Sequence, residues 1–367
     1  MNLLSRVSRL AQLVLALSLL HGCALSPPRL DYSKYTSEEL NDFGVVYEQA
    51  GNLAEALSLY CDVITQPRLS DDEFEPARQL AIDEVRGLDD DPRRKVMLKL
   101  YEGFYPYPLG RSTVGDIDQL QALSPERVRD IVRSSFGLSE AILAVAGKYD
   151  FDAVCRQLEN ALAAETPLPL PQEEPRVQQS RYTHLPNDGA QVHIGLMTGT
   201  VKPADEDYYN ARMAVAVLSG GMSARLFTEV REKRGLCYAV GARYHALKDF
   251  AGIACYAGTT PEKAQETLDV IIEQFDKLSE GITEEELQRA KVGLKSSLIL
   301  QSESSSSRAG AIGADYYMLG KVRTLDEIKS RIEQVTRDSV MQFLRNNKFK
   351  DYTVVTIGPK KVTVKQS

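Results

Sequence analysis

The sequence predicts an α+β protein built from two related αβ halves, and three observations carry that expectation. Helical spacings of apolar residues alternate with short apolar runs along most of the chain. The ends of the two halves repeat one another. Leu120, Leu123, Ser124, Val128 and Val132 correspond to Ile332, Val335, Thr336, Val340 and Leu344, and an apolar run ending at Gly147 corresponds to one ending at Gly358. Between the halves lies an acidic stretch holding Pro167, Pro169, Pro171 and Pro175, the composition of a stiff, extended linker. One long-period repeat argues for duplication of an αβ unit, because a solenoid needs several short copies.

The first half reads as helix-rich. Leu53, Leu57, Tyr60, Cys61 and Ile64 recur at helical spacing, and Ser70-Asp71-Asp72-Glu73 has the form of a capping box opening a helix through Glu84. Further helices are expected over Pro92–Phe104, Pro125–Ser135 and Phe151–Ala163, with a strand at Ala141–Ala146. The second half opens on a strand at Gln191–Met197. A helix from about Glu206 follows, ended by Gly220-Gly221, where glycine suits the left-handed backbone of a helix terminus. A second helix then carries Leu226, Phe227 and Val230 on one side and Arg225, Glu229, Arg231, Glu232, Lys233 and Arg234 on the others. After Gly235 the spacing turns to a strand from Tyr238, a turn at Lys248-Asp249 and a strand from Ala251 to Gly258. Helices near Pro261–Leu278, from Glu284, Leu325–Ile332 and Arg337–Asn346, and a strand at Tyr352–Ile357, close the chain; Ser302–Ser307 interrupts the helical stretch.

Composition excludes several classes. With 43% hydrophobic and 26% charged residues the chain is of globular type, and a net charge of −7 argues against general nucleic-acid binding, which needs a basic face. Cys23, Cys61, Cys155, Cys237 and Cys255 form no CxxC pair, so neither a zinc ribbon nor a dense disulfide framework is encoded; Cys237 and Cys255 could face one another across the hairpin. The four histidines, His21, His184, His193 and His245, cannot form a two-histidine metal motif. No Gly-Lys-Ser or Gly-Lys-Thr phosphate loop occurs.

Residues 1–30 contain Arg6, Arg9 and Arg29, no acidic residue and the apolar run Leu10–Leu20. Export to the cell envelope is the favoured expectation, with Leu20-His21-Gly22-Cys23 resembling a lipobox that would attach Cys23 to a membrane. An organelle transit peptide and an amphipathic first helix are the alternatives.

Arg231 and Tyr238 flank a helix-to-strand junction, where two polar side chains can reach one cleft. From spacing alone the pair reads as ordinary surface residues. Its surroundings, GGMSARLF from Gly220, EVREKRGLCY from Glu229 and YAGTTPEKA from Tyr256, closely resemble the C-terminal segment of the M16 metallopeptidases, the insulinase, pitrilysin and mitochondrial processing peptidase family. The resemblance runs from about Tyr35 to the C-terminus and implies paired αβ domains, each an antiparallel-rich sheet covered by helices, with the first domain shortened. The implied layout is a signal-like or amphipathic segment at 1–30, a truncated N-terminal domain at 31–164, the linker at 165–180 and a C-terminal domain at 181–367.

In that family an Arg and a Tyr seven residues apart grip the peptide substrate, which assigns substrate binding to Arg231 and Tyr238. Active members carry His-x-x-Glu-His, absent here, and a later glutamate that corresponds to Glu84. Counting back from Glu84 by the family's spacing lands near Ser8, where the chain reads Leu4-Ser5-Arg6-Val7-Ser8. One carboxylate cannot hold a catalytic zinc that needs three protein ligands, so Glu84 is a vestigial metal position and no catalytic residue is assigned. The resemblance therefore implies a non-catalytic subunit that binds peptide and complements a zinc-bearing M16 partner, or pairs with its own kind, with zinc supplied by that partner or by a longer reading frame. The alternatives are a zinc metalloendopeptidase whose metal motif precedes Met1 in a cut reading frame, and a structural core-type scaffold subunit.

Overall fold

The computed structural model describes residues 53–135, 141–163 and 181–364. The readings at residues 1–30, including Cys23, and at the linker 165–180 lie outside the described residues. In the first half the helices are α1 (Leu53–Thr65), α2 (Asp71–Gly87), α3 (Pro92–Phe104), α4 (Ile117–Ala122), α5 (Pro125–Ser135) and α6 (Phe151–Leu162). There follow β1 (Tyr182–Pro186), β2 (Val192–Gly199), α7 (Tyr208–Ser219), a π-helical turn (Phe227–Glu232), β3 (Cys237–Ala246) and β4 (Ala251–Thr259). The remainder is α8 (Ala264–Glu280), α9 (Glu284–Ser302), α10 (Ser305–Leu319), α11 (Leu325–Gln334), α12 (Arg337–Asn346) and β5 (Thr353–Gly358). None of the helices described is long and apolar enough to cross a membrane.

The described residues fall in two compact units. Residues 53–68 and 150–163 form a small one, in which α1 and α6 pack through Leu57, Cys61 and Val154. Residues 69–149 and 181–364 form the larger, so α2 to α5 belong with the sheet.

The sheet of the larger unit runs β1-β5-β2-β4-β3, with β1 parallel to β5 and every other pairing antiparallel. Successive residues of a strand face opposite sides. Ile194 and Leu196 of β2 enter the main core beneath α7, α8, α9 and α12, together with Ile253, Phe275, Phe343 and Val354. Met197, Ala254, Val355 and Ile357 face the other way and meet Val96, Leu100 and Tyr105 from α3 and its C-cap. Gly195 makes that second contact close, since a Cβ there would lie 3.3 Å from a Leu100 methyl. Tyr105 hydroxyl lies 2.6 Å from His245 Nδ1, and the Tyr101 ring stacks on His245, fixing the end of α3 to β3.

Several local expectations need correction. Ala141–Ala146 forms no strand: a strand exists by pairing, and no described strand lies alongside it, leaving Ile142 and Leu143 exposed. Ser70 does not close a capping box, because its hydroxyl donates to Glu73 at 3.0 Å instead of accepting a backbone amide. The capping role is instead filled at Asp91, Thr283, Thr324 and Thr336. Gly220 is not left-handed; it is needed because a Cβ would sit 2.4 Å from the Ala216 carbonyl oxygen, while Gly221 supplies the positive φ of 148°. Cys237 and Cys255 are not opposite one another, Ala242 being the partner of Cys255, and both thiols are free.

Two outcomes follow. Leu100→Ala removes the main apolar anchor of α3 and should cost about 3 kcal/mol in urea unfolding. The second concerns pH. Burial holds His184, His193 and His245 below the ordinary 6.5, with Lys361 adding to the effect at His184 and Arg243 at His245, and Asp91 opposing it at His193. As pH falls through 6.5 the unfolded chain binds protons that the folded chain resists, so stability present above 6.5 is lost below it. The urea midpoint should be lower at pH 5.5 than at pH 7.5, and His245→Gln should reduce that difference.

Candidate functional site

Arg231 and Tyr238 sit at two adjacent irregularities of the backbone. The segment expected as an α-helix is a π-turn over Phe227–Glu232, in which the Lys233 amide reaches back five residues to the Thr228 carbonyl at 2.9 Å. Tyr238 is a β-bulge: Cys237 pairs with Thr259 and Ala239 with Gly258, so Tyr238 has no partner of its own on β4. Each irregularity inserts one residue, a device found more often near functional sites than elsewhere.

Both ends of this junction are pinned. At the start, Arg225 is held in a part-buried fork, its Nε and Nη2 donating to Glu286 at 2.7 and 2.8 Å and its Nη groups also donating to the carbonyls of Lys277 and Gly281. At the far end Lys263 donates to the Gly235 carbonyl at 2.7 Å, and the hydroxyls of Thr259 and Thr267 converge on the Leu236 carbonyl. Leu226, Val230 and Leu236 anchor the inner side in the main core. The wider π-turn takes up the residue left over between these fixed ends.

What remains outside is the pair of interest. Tyr238 is 62% exposed, and Arg231 is exposed with its guanidinium 4.9 Å from the Phe227 ring centroid. Its basic neighbours are neutralised, Lys233 and Arg234 both pairing with Glu229. Arg231 has no carboxylate partner among the described residues, so a cation and a phenol stand ready for an acceptor such as a peptide carbonyl.

Glu84 lies elsewhere in the same unit, on α2, half exposed and ion-paired with Arg94 of α3. Among the described residues no three His, Cys, Asp or Glu side chains are grouped to hold a metal. Among the described residues, the donor set that a family zinc would require is not present around Glu84. His193 bonds to the Tyr256 hydroxyl at 2.9 Å, and His184 to Thr356, so neither stands free as a ligand.

A cleft that spacing did not reveal begins one residue beyond Tyr238. It has a volume of about 650 Å³ and lies between α3 and the β3–β4 face, with Arg93 and Tyr101 on one wall and Arg243 on the other. Only the three-dimensional packing of α3 on this sheet brings residues 93 and 243 together; no sequence motif links them.

Comparison with known proteins agrees with this architecture. The family model described as the peptidase M16 inactive domain matches residues 122–294, a span containing Arg231 and Tyr238. An uncharacterized zinc protease of Streptomyces coelicolor is 28% identical over 317 residues, covering 83% of this chain and 69% of its own length. One from Mycobacterium tuberculosis is 28% identical over 312 residues, covering 83% and 71%. The zinc protease YmxG of Bacillus subtilis is 26% identical over 334 residues, covering 89% and 80%. Among solved structures, the M16 inactive domain from Pseudomonas fluorescens superposes with a TM-score of 0.72 at 21% identity, covering 87% of this chain and 77% of that one. A protease from Helicobacter pylori gives 0.74 at 21% identity, covering 84% and 77%. Complex III2 from Candida albicans contains a chain at 0.70 and 18% identity, with the same coverage.

The fold is thus that of the M16 inactive-domain structure and its relative. The chain is similar to the M16 peptidases, the inactive-domain model matching residues 122–294, and its sequence as given carries no His-x-x-Glu-His motif.

The Arg225 fork makes a stability test of the junction. Burial alone would raise the Glu286 pKa, but the Arg225 bonds and the Thr283 amide outweigh it and hold it below the ordinary 4.5. A depressed carboxylate stabilises the fold above its unfolded pKa and loses that contribution as pH falls through the folded value. Arg225→Met should therefore cost about 3 kcal/mol at pH 7 by leaving the carboxylate unpaired, and Arg225→Met with Glu286→Gln should restore part of it in urea unfolding.

Proposed function

We propose that this chain is a non-catalytic, peptide-gripping subunit of an M16-type assembly, working against a zinc-bearing M16 partner. The observation that supports it is the paired irregularity: a π-turn and a β-bulge, held at both ends, present Arg231 and Tyr238 to solvent, with no carboxylate paired to Arg231 among the described residues. Strained or irregular backbone persists only where its surroundings over-determine it, and here the pinned ends do so. In this reading Arg231, steadied on Phe227, hydrogen-bonds a carbonyl of an extended peptide, and the Tyr238 hydroxyl donates a second bond. Charge growing on that oxygen during attack by the partner's chemistry would be stabilised by both groups.

The names of the similar bacterial zinc proteases favour a second reading, metalloendopeptidase activity. No step through zinc is drawn from this chain, because Glu84 is ion-paired and belongs to no group of three potential ligands among the described residues.

The test is peptide cleavage by the chain alone and by the chain mixed with a zinc-bearing M16 homologue from the same genome, with metal content measured on each. The partner-subunit reading expects activity only in the mixture. Arg231→Ala should lower its kcat/KM by about 10²-fold and Tyr238→Phe by about tenfold, the scale of one lost donor to a developing charge and of one lost hydrogen bond. Unchanged rates in both variants would sink the assignment, and chelator-sensitive cleavage by the chain alone, with one bound zinc, would establish the second reading.

A further inference from the structure

The cleft beside β3 carries an inference that rests on the peptide-binding reading and narrows it. We infer that the cleft is a specificity pocket for an acidic side chain of the bound peptide, read by Arg93 and Arg243. Three observations support this, all within the larger unit. First, position: Ala239, the residue after Tyr238, begins the run Ala239–Arg243 that lines the cleft, so a peptide held at Tyr238 and following β3 passes along it. Second, shape: small side chains at Ala239, Gly241 and Ala254 leave a low floor on a sheet face that α3 covers mainly over β2 and β5, and the space is of the size that takes a side chain with its flanking backbone.

Third, charge. Arg93 on α3 and Arg243 on β3 face the same cleft from different elements, and neither has a carboxylate partner among the described residues. Arg93 lies 4.9 Å over the Tyr256 ring and Arg243 donates to the Tyr101 hydroxyl at 2.6 Å, so both guanidiniums are positioned by aromatic groups while keeping donors for a ligand. Arg94 is engaged by Glu84. The one carboxylate on the lining, Asp91, is occupied as the N-cap of α3, accepting from the Arg94 amide at 2.9 Å. A chain of net charge −7 thus sets Arg93 and Arg243, against the single capping carboxylate of Asp91, over a floor of small apolar residues, an excess of positive charge that complements a carboxylate on a short stem.

Strand geometry sets the spacing. Tyr238 and Arg243 are separated by roughly 17 Å at about 3.3 Å per residue, so the acidic residue lies about five positions from the peptide group gripped by Arg231 and Tyr238. Aspartate or glutamate at that distance would be preferred, and lysine rejected.

Fluorescence anisotropy on the full chain tests this with labelled, unstructured Gly/Ala/Ser-rich dodecapeptides carrying one Glu, Gln or Lys at each position in turn. The Glu peptide is expected to bind about five- to tenfold more tightly than the Gln peptide at the matching position only, with the preference shrinking as salt is raised. Arg93→Glu with Arg243→Glu should reverse the order of Glu and Lys peptides, a result that loss of folding could not produce. Equal affinity for Glu and Gln peptides at every position, with binding still weakened by Arg231→Ala, would overturn the acidic pocket and leave the peptide-gripping reading standing. No binding of any peptide would overturn both.

Discussion

The fork between Arg225 and Glu286 is the interaction on which the site depends. A guanidinium taken out of water needs its donors satisfied, and Arg225 achieves this with one bidentate carboxylate and two backbone carbonyls from the end of α8 and the turn after it. Because Glu286 also closes the Thr283 capping box of α9, the same carboxylate fixes the start of that helix. The π-turn, α8 and α9 are therefore referenced to one point. Such a network rigidifies only when every member is satisfied, and here it is. Arg231 lies six residues beyond Arg225 on this framework, so its placement is inherited largely from a part-buried, fully bonded group.

The sheet is covered on both faces, but unequally. The first face carries a continuous core beneath several helices, whereas the second is served by α3, packed mainly over β5 and β2. That asymmetry explains two features at once: β2 reads as a nearly unbroken apolar run because it is buried on both sides, and the neighbouring β3–β4 face retains a cleft. Filling one face and leaving the other partly open turns a core element into one wall of a candidate binding surface.

Much of this was legible in the sequence, and the exceptions are instructive. Pro92–Phe104 and Arg337–Asn346 were readable to the residue, since Asp91 and Thr336 cap them and Pro92 suits a first helical turn. The β3–β4 hairpin followed from period-two spacing around Lys248-Asp249. Arg231 and Tyr238 were identifiable through family resemblance, but their setting was not. A π-turn and a β-bulge each differ from regular structure by one residue, a signal that apolar periodicity over so short a stretch does not carry. At Ala141–Ala146 the composition of a strand was present without a neighbouring strand, showing that β propensity acts only where an edge is offered. The pairing of Arg93 with Arg243 across the cleft depends on α3 crossing to a sheet formed much later in the chain.

The parallel ladder between β1 and β5 has a consequence for assembly of the sheet. It joins segments such as His184 and Thr356 that are 172 positions apart, while the β3–β4 ladder closes over a short turn. Loop-closure entropy rises with the logarithm of that separation, which makes the outer parallel pairing dearer than the hairpin by about 3 kcal/mol before any contact is counted. In an unfolded chain the hairpin beside the Arg231–Tyr238 junction therefore has a head start, and β1 becomes favourable only once β2 and β5 offer a finished edge. Contact order, not burial, sets β1 apart: the strand at one margin of the sheet depends on the topology of nearly the whole unit, whereas the strand at the other margin is specified locally.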